Sequence, residues 1–169
     1  MGLREGRRLS RGSDVPDDGL AVALEREHIA VDAGPAAFLR GLDGGVSDGV
    51  ALEATLEALQ RHIYLEERIL FPLIRHGGMV MPLTVMMSEH GEIWRTMDAL
   101  TESVLNGSDT ERIRSLGEQL LRQLHEHNGK EESVVYPAAD TTLTSEQSAE
   151  LADFLATGLA PDGWYCQEA

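Results

Sequence analysis

From Leu20 onward, apolar residues recur every three or four positions, and short breaks separate the stretches that carry this period. Such spacing lays apolar side chains along one side of a helix. The first stretch runs from Leu20 to Leu42. Gly34-Pro35 inside it predicts a kink or a split, because proline lacks an N–H and its ring collides with the preceding turn. Gly44-Gly45 is a break, after which Ser47 or Asp48 can cap a second helix reaching about Arg75. Leu52, Leu56, Leu59, Ile63, Ile69 and Leu70 form its stripe, with Pro72 near its end and Gly77-Gly78 beyond. A third helix is predicted from about Pro82 to Leu105, closed by Asn106-Gly107. Ser108 or Asp109 opens a fourth, carrying Ile113, Leu116, Leu120, Leu121 and Leu124, which Pro137 should stop near Tyr136. Thr144 with Gln147 three residues later reads as a capping box for a shorter fifth helix, with Leu151, Phe154 and Leu155 on one face. No segment sustains a period of two. The expected fold is all-α: an up-down four-helix bundle with an additional short C-terminal helix. The chain then divides into a disordered basic tail at 1–16, the bundle at 17–140, and a C-terminal helix and tail at 141–169. Asp17 and Asp18 would stand in the first turn, where acids favour the helix dipole.

Composition narrows the function classes. The 169 residues suit one domain, and 29 acids against 14 bases give a net charge of −15. Nucleic acid and anionic membranes both call for a basic face, so neither is an expected partner. The longest apolar run, around Met79 to Met87, contains Pro82 and falls far short of the ~20 residues of a membrane span. Arg4, Arg7, Arg8 and Arg11 are not followed by the apolar run of a signal peptide. The lone Cys166 excludes an intrachain disulfide and reads as a tail thiol of no consequence. A soluble cytoplasmic protein is expected, and nothing in the sequence indicates a protein partner.

The second and fourth helices end alike. His62-Ile-Tyr-Leu-Glu66-Glu67 is followed, three residues on, by Phe71-Pro72, and His127-Asn-Gly-Lys-Glu131-Glu132 by Tyr136-Pro137. The first and third helices each carry a Glu-His pair, Glu27-His28 and Glu89-His90. The intervals from 28 to 62 and from 90 to 127, 34 and 37 residues, match as a helical hairpin used twice. Residues four apart on a helix lie about 40° apart and ~6 Å along the axis. His62 therefore shares a face with Glu66, and His127 with Glu131, and an imidazole beside a carboxylate can hold a transition metal. With His28 and His90 added, four histidines and two glutamates suffice for two cations, each with two histidines, bridged by the carboxylates. Mixed imidazole and carboxylate ligation suits iron in a bundle core in preference to Mn or Zn.

Other positions carry weaker signals. Glu67 and Glu132 lie about 100° from their neighbours, so they are outer partners, surface charges or substitutes for Glu66 and Glu131 as ligands. Asp32, one turn after His28, is a candidate acceptor for it. His125 should face solvent, and His76 should serve the helix end. Trp94 lies one turn after His90 on the same face; Tyr64, Met86, Met87 and Met97 read as core filling.

At these residues, over roughly 20–140, the sequence resembles the hemerythrin-like, cation-binding HHE family. That resemblance implies a four-helix bundle with a non-haem di-iron centre held by His28, His62, Glu66, His90, His127 and Glu131. Respiratory members carry a fifth histidine in an H-x-x-x-H, where Trp94 stands here. The symmetric set is similar to the branch containing repair-of-iron-centres proteins, linked to nitric oxide, oxidative stress and iron-sulfur clusters. The resemblance implies a protein that reacts with or senses a small ligand (O2, peroxide or nitric oxide), in stress response or iron-centre repair. The alternative is an iron-binding, donor or sensor module without turnover.

Overall fold

The computed structural model describes residues 19–45 and 48–169. The expected basic tail at 1–16, Asp17, Asp18 and Ser47 lie outside the described residues. The described chain is helical and contains no strand. Helix α1 spans Leu20–Asp43 and α2 spans Gly49–Leu65. A π-helical turn, Glu66–Leu70, leads into α3, Phe71–Ile74. A 3₁₀ turn at Gly77–Met79 precedes α4, Val80–Leu105. Helix α5, Thr110–Lys130, passes through a second π turn, Glu131–Val135, into α6, Tyr136–Thr142. Helix α7, Ser145–Thr157, is the additional C-terminal helix. The caps follow from local chemistry. Asp48 accepts from the Ala51 amide, Asp109 from that of Arg112, and Thr144 with Gln147 closes the capping box.

Two proline expectations are corrected. Helix α1 is not split at Gly34-Pro35: it runs through, with Pro35 buried. Gly34 serves close packing, since a Cβ there would lie 2.3 Å from the Thr55 hydroxyl of α2. Nor does Pro137 stop the fourth helix, which continues to Thr142. In each π turn the hydrogen bond skips a residue, from the Phe71 amide to the Glu66 carbonyl and from Tyr136 to Glu131. The widened turn gives the following proline room for its ring and absorbs its missing donor.

The core is in two parts. One apolar cluster holds Leu20 and Leu24 with Leu70, Ile74, Leu83 and Met86. The other holds Phe38, Leu56, Leu59, Ile93, Met97 and Leu120. Along each bundle helix a histidine stands at or within a residue or two of the boundary between the clusters: His28, His62, His90 and His127. A polar layer is therefore sealed between two apolar ones. No helix among the described residues is long and apolar enough to cross a membrane.

Candidate metal centre

The six residues of the duplicated pattern meet in that layer. Glu66 and Glu131 are fully buried, and His28, His62, His90 and His127 are at most 4% exposed. Glu66 spans two helices' histidines: Oε1 lies 3.4 Å from His62 Nε2, and Oε2 3.2 Å from His90 Nε2. Glu131 does the same with the hairpins exchanged, Oε2 lying 3.3 Å from His28 Nε2 and Oε1 3.2 Å from His127 Nε2. His28 Nε2 and His62 Nε2 are 3.1 Å apart. Ligand-type atoms of His28, His62, Glu66 and Glu131 lie within 4.8 Å of one another, and so do those of Glu66, His90, His127 and Glu131. Both carboxylates belong to both groups.

Every histidine turns its other nitrogen outward to a carboxylate. His28 Nδ1 lies 2.9 Å from Glu132, His62 Nδ1 3.2 Å from Glu27, His90 Nδ1 3.1 Å from Glu67, and His127 Nδ1 3.0 Å from Glu89. A proton held on Nδ1 leaves the Nε2 lone pair facing the centre. Glu67 and Glu132 are thus outer partners, each reaching across to the other hairpin. Asp32 is not the acceptor for His28; Glu132 takes that role, and Asp32 accepts from Asn128 at 3.1 Å. Glu27 and Glu89 received no role from spacing alone. Their only signal was the repeated Glu-His pair.

Tyr136 was also missed, although it stands in the motif. Its hydroxyl enters the layer, 2.6 Å from His28 Nε2, 2.8 Å from Glu66 and 3.3 Å from Glu131. Its repeat mate Phe71 stacks on His90, with ring centroids 5.6 Å apart and planes 6° apart. Cys166 is no idle tail thiol: it is 3% exposed and donates to Glu67. His125 and His76 are exposed. Trp94, Met86, Met87 and Met97 are buried, and Tyr64 packs edge-on against Trp164.

The electrostatics are those of a site that concentrates negative charge. Burial alone would lower the His62 pKa, but Glu66 and Glu27 outweigh it and hold it well above the ordinary value. Burial likewise opposes a charge on His127, yet Glu131 and Glu89 raise its pKa to about 10. For Glu66, burial is overruled by His62 and His90, and the carboxyl stays well below the usual range. Burial and the Glu131 and Glu66 charges keep the Tyr136 phenol neutral, with its pKa pushed well up. Even so, Glu66 Oε2, Glu131 Oε1, His90 Nε2 and His127 Nε2 are buried in ion-pair contact with one another and make no well-directed hydrogen bond. Unsatisfied buried polar atoms are costly, and four of them converging on one point suit a cation that accepts all four lone pairs. A surface cavity of about 140 Å³, lined by His28, Asp32, Asn128 and Glu132, abuts His28 on the side of its outer carboxylate. A recess of about 50 Å³ abuts His127 from another.

Comparison with known proteins agrees with this geometry. The family model for the hemerythrin HHE cation binding domain matches residues 20–139. Among curated proteins, the iron-sulfur cluster repair protein DnrN of Neisseria gonorrhoeae is 34% identical over 91 residues, covering 47% of this chain and 57% of that protein. The iron-sulfur cluster repair protein YtfE of Yersinia pestis (strain Pestoides F) is 32% identical over 98 residues, covering 52% of this chain and 44% of that protein. The chain thus spans about half the length of these relatives. No solved structure gives a significant match.

Proposed function

The chain belongs to the hemerythrin HHE cation-binding family, and on that premise we propose that it is a non-haem di-iron protein that reacts with or senses O2, peroxide or nitric oxide. His28 and His62 would hold one iron, His90 and His127 the other, and Glu66 and Glu131 would bridge them. The observation that carries this reading is the pair of carboxylates, each presenting one oxygen to each histidine pair, with atoms that make no well-directed hydrogen bond on every ligand of one pair. Four imidazole nitrogens and four carboxylate oxygens give four donors per cation, which leaves room at each for a small ligand. Iron bound there supplies redox chemistry and open coordination positions.

The protein's own groups do the rest. Glu132, Glu27, Glu67 and Glu89 orient the four rings by holding the Nδ1 protons. The apolar clusters on either side exclude bulk water. The Tyr136 hydroxyl holds a proton at Oη beside His28 Nε2, positioned to donate a hydrogen bond to a small ligand in that half. The kinship with iron-sulfur cluster repair proteins supports a role in stress response or iron-centre repair.

The test is to load the full chain with Fe(II) without oxygen, count the metal, and record spectra on adding O2, peroxide or nitric oxide. About two irons per chain and a spectral change with at least one of the three are expected. Near-zero iron, or silence towards all three, would overturn the reading.

A further inference from the structure

We propose that the C-terminal segment, residues 158–169 with the end of α7, is a clamp that positions two of the centre's histidines, one in each half. The clamp rests on the reading of those histidines as cation ligands. The segment lies outside the 20–139 region matched by the family model.

The first arm acts on His90. Cys166 Sγ donates to Glu67 Oε1 at 3.2 Å, and the Gln167 amide donates to Oε2 at 3.2 Å. Oε1 is also the atom 3.1 Å from His90 Nδ1. The Glu67 side chain is 1% exposed, so its orientation depends on these partners and not on water. The segment is seated on α4. Arg95 donates to the Glu168 carbonyl at 2.8 Å, Tyr165 donates to Asp98 at 2.5 Å, and Trp164 packs edge-on against Trp94. Gly91 makes this seat possible: a Cβ there would lie 2.3 Å from the Glu168 carbonyl oxygen and 2.6 Å from its carbon. Those are backbone atoms, which cannot swing aside as a flexible side chain would.

The second arm acts on His62. Arg61 Nε donates to the Gly158 carbonyl at 2.8 Å, and Nη2 donates to those of Phe154 and Leu155 at 2.7 Å each. These lie at the C-terminal end of α7, where carbonyls run short of backbone partners; the Phe154 carbonyl also accepts from the Gly158 amide at 2.7 Å. Arg61 Nη1 pairs with Glu27, whose other oxygen holds His62 Nδ1. By contrast, the Glu89 that holds His127 is anchored by the half-exposed Lys130, and the Glu132 that holds His28 is 40% exposed. The clamp therefore reaches one histidine of each pair and leaves the other to surface partners.

The experiment compares full-length wild type with Gly91→Ala, Cys166→Ala, Glu67→Gln and Arg61→Gln after anaerobic Fe(II) loading. It measures iron affinity by competition with a chelator, and exposure of Cys166 by its reaction with a thiol reagent. Gly91→Ala should displace the segment, so Cys166 reacts faster and one of the two irons binds roughly 10- to 100-fold more weakly. Adding Glu67→Gln to Gly91→Ala should weaken that iron no further, because both act through one carboxylate. Arg61→Gln should weaken the other iron. Cys166→Ala introduces no clash; it should weaken the same iron as Gly91→Ala by a smaller factor, and it decides the matter if Gly91→Ala does not fold. Wild-type affinity for both irons in Gly91→Ala and Cys166→Ala, equal weakening of both irons, or additivity with Glu67→Gln would overturn the clamp. A wild-type chain that takes up no iron would overturn the ligand assignment, and the clamp with it.

Discussion

The two halves of the centre come from the same hairpin motif and share their histidines and the carboxylates behind them, yet they differ in the aromatic residue of the motif and in how deeply the outer carboxylates are buried. In the His90/His127 half, Phe71 covers one ring, and Glu67 is buried beneath the C-terminal segment. In the His28/His62 half, Tyr136 replaces the phenylalanine and puts a hydroxyl among the ligand atoms, while Glu132 is partly exposed at a cavity of about 140 Å³ that reaches His28. One half has an apolar ring against its ligand; the other has a hydroxyl there and lies beside the larger surface cavity. The repeated motif thus keeps the same inward histidines and glutamates in both halves while their surroundings differ.

The largest expected effect removes what the halves share. The double variant Glu66→Ala with Glu131→Ala should drop bound iron from about two per chain to near zero by elemental analysis. Retention of both irons would mean that Glu67 and Glu132, or other groups, are the bridges.

Next is the pH dependence of the metal-free protein, which probes the His90/His127 half. The folded His127 pKa of about 10 exceeds the ordinary 6.5, because the Glu131 and Glu89 carboxylates outweigh burial. Its stabilising contribution is full below pH 6.5 and is lost as pH rises through about 10. Thermal unfolding of the metal-free chain should therefore shift to lower temperature across that range, and His127→Gln should flatten the trend. A metal-free melting temperature constant from pH 6.5 to 10 would contradict it.

The outer carboxylates then separate the halves. Glu67→Gln should lower affinity for one iron about 10- to 100-fold, and Glu132→Gln by less, since water can replace a partner that is already half in solvent. Chelator competition would reveal an inverted order.

The smallest effect makes the halves alike. Tyr136→Phe should leave the iron count at two, destabilise the metal-free chain by about 1–3 kcal/mol in denaturant unfolding, and alter the spectral response to small ligands. An unchanged response would leave the hydroxyl a structural role only.

Much of this was legible in the sequence, because it rests on local rules. The helical period, the Thr144 and Gln147 cap and the matched histidine intervals all depend on neighbours within a turn or on a repeated motif. What was hidden depends on contacts through space. Glu27 stands beside His28 in the chain but serves His62, and Glu67 serves a histidine on another hairpin. Cys166 acquires its role only when the end of the chain returns to α4. Pro137 misled for a different reason. The cost of a missing donor was judged against a regular α-helix, and a π turn of five residues accommodates it.

Those π turns also govern how the chain tolerates changes in length. At the break after Asn106, an inserted residue would lengthen a loop on the surface. In Glu66–Leu70 or Glu131–Val135 a deletion would restore an ordinary helix and swing everything downstream by about 100°. Phe71 would leave His90 in the first repeat, and Tyr136 would leave His28 in the second. The surplus residue in each turn thus works as a phase setting, so related chains should vary in length at the loops and keep their count between the buried glutamate and the proline.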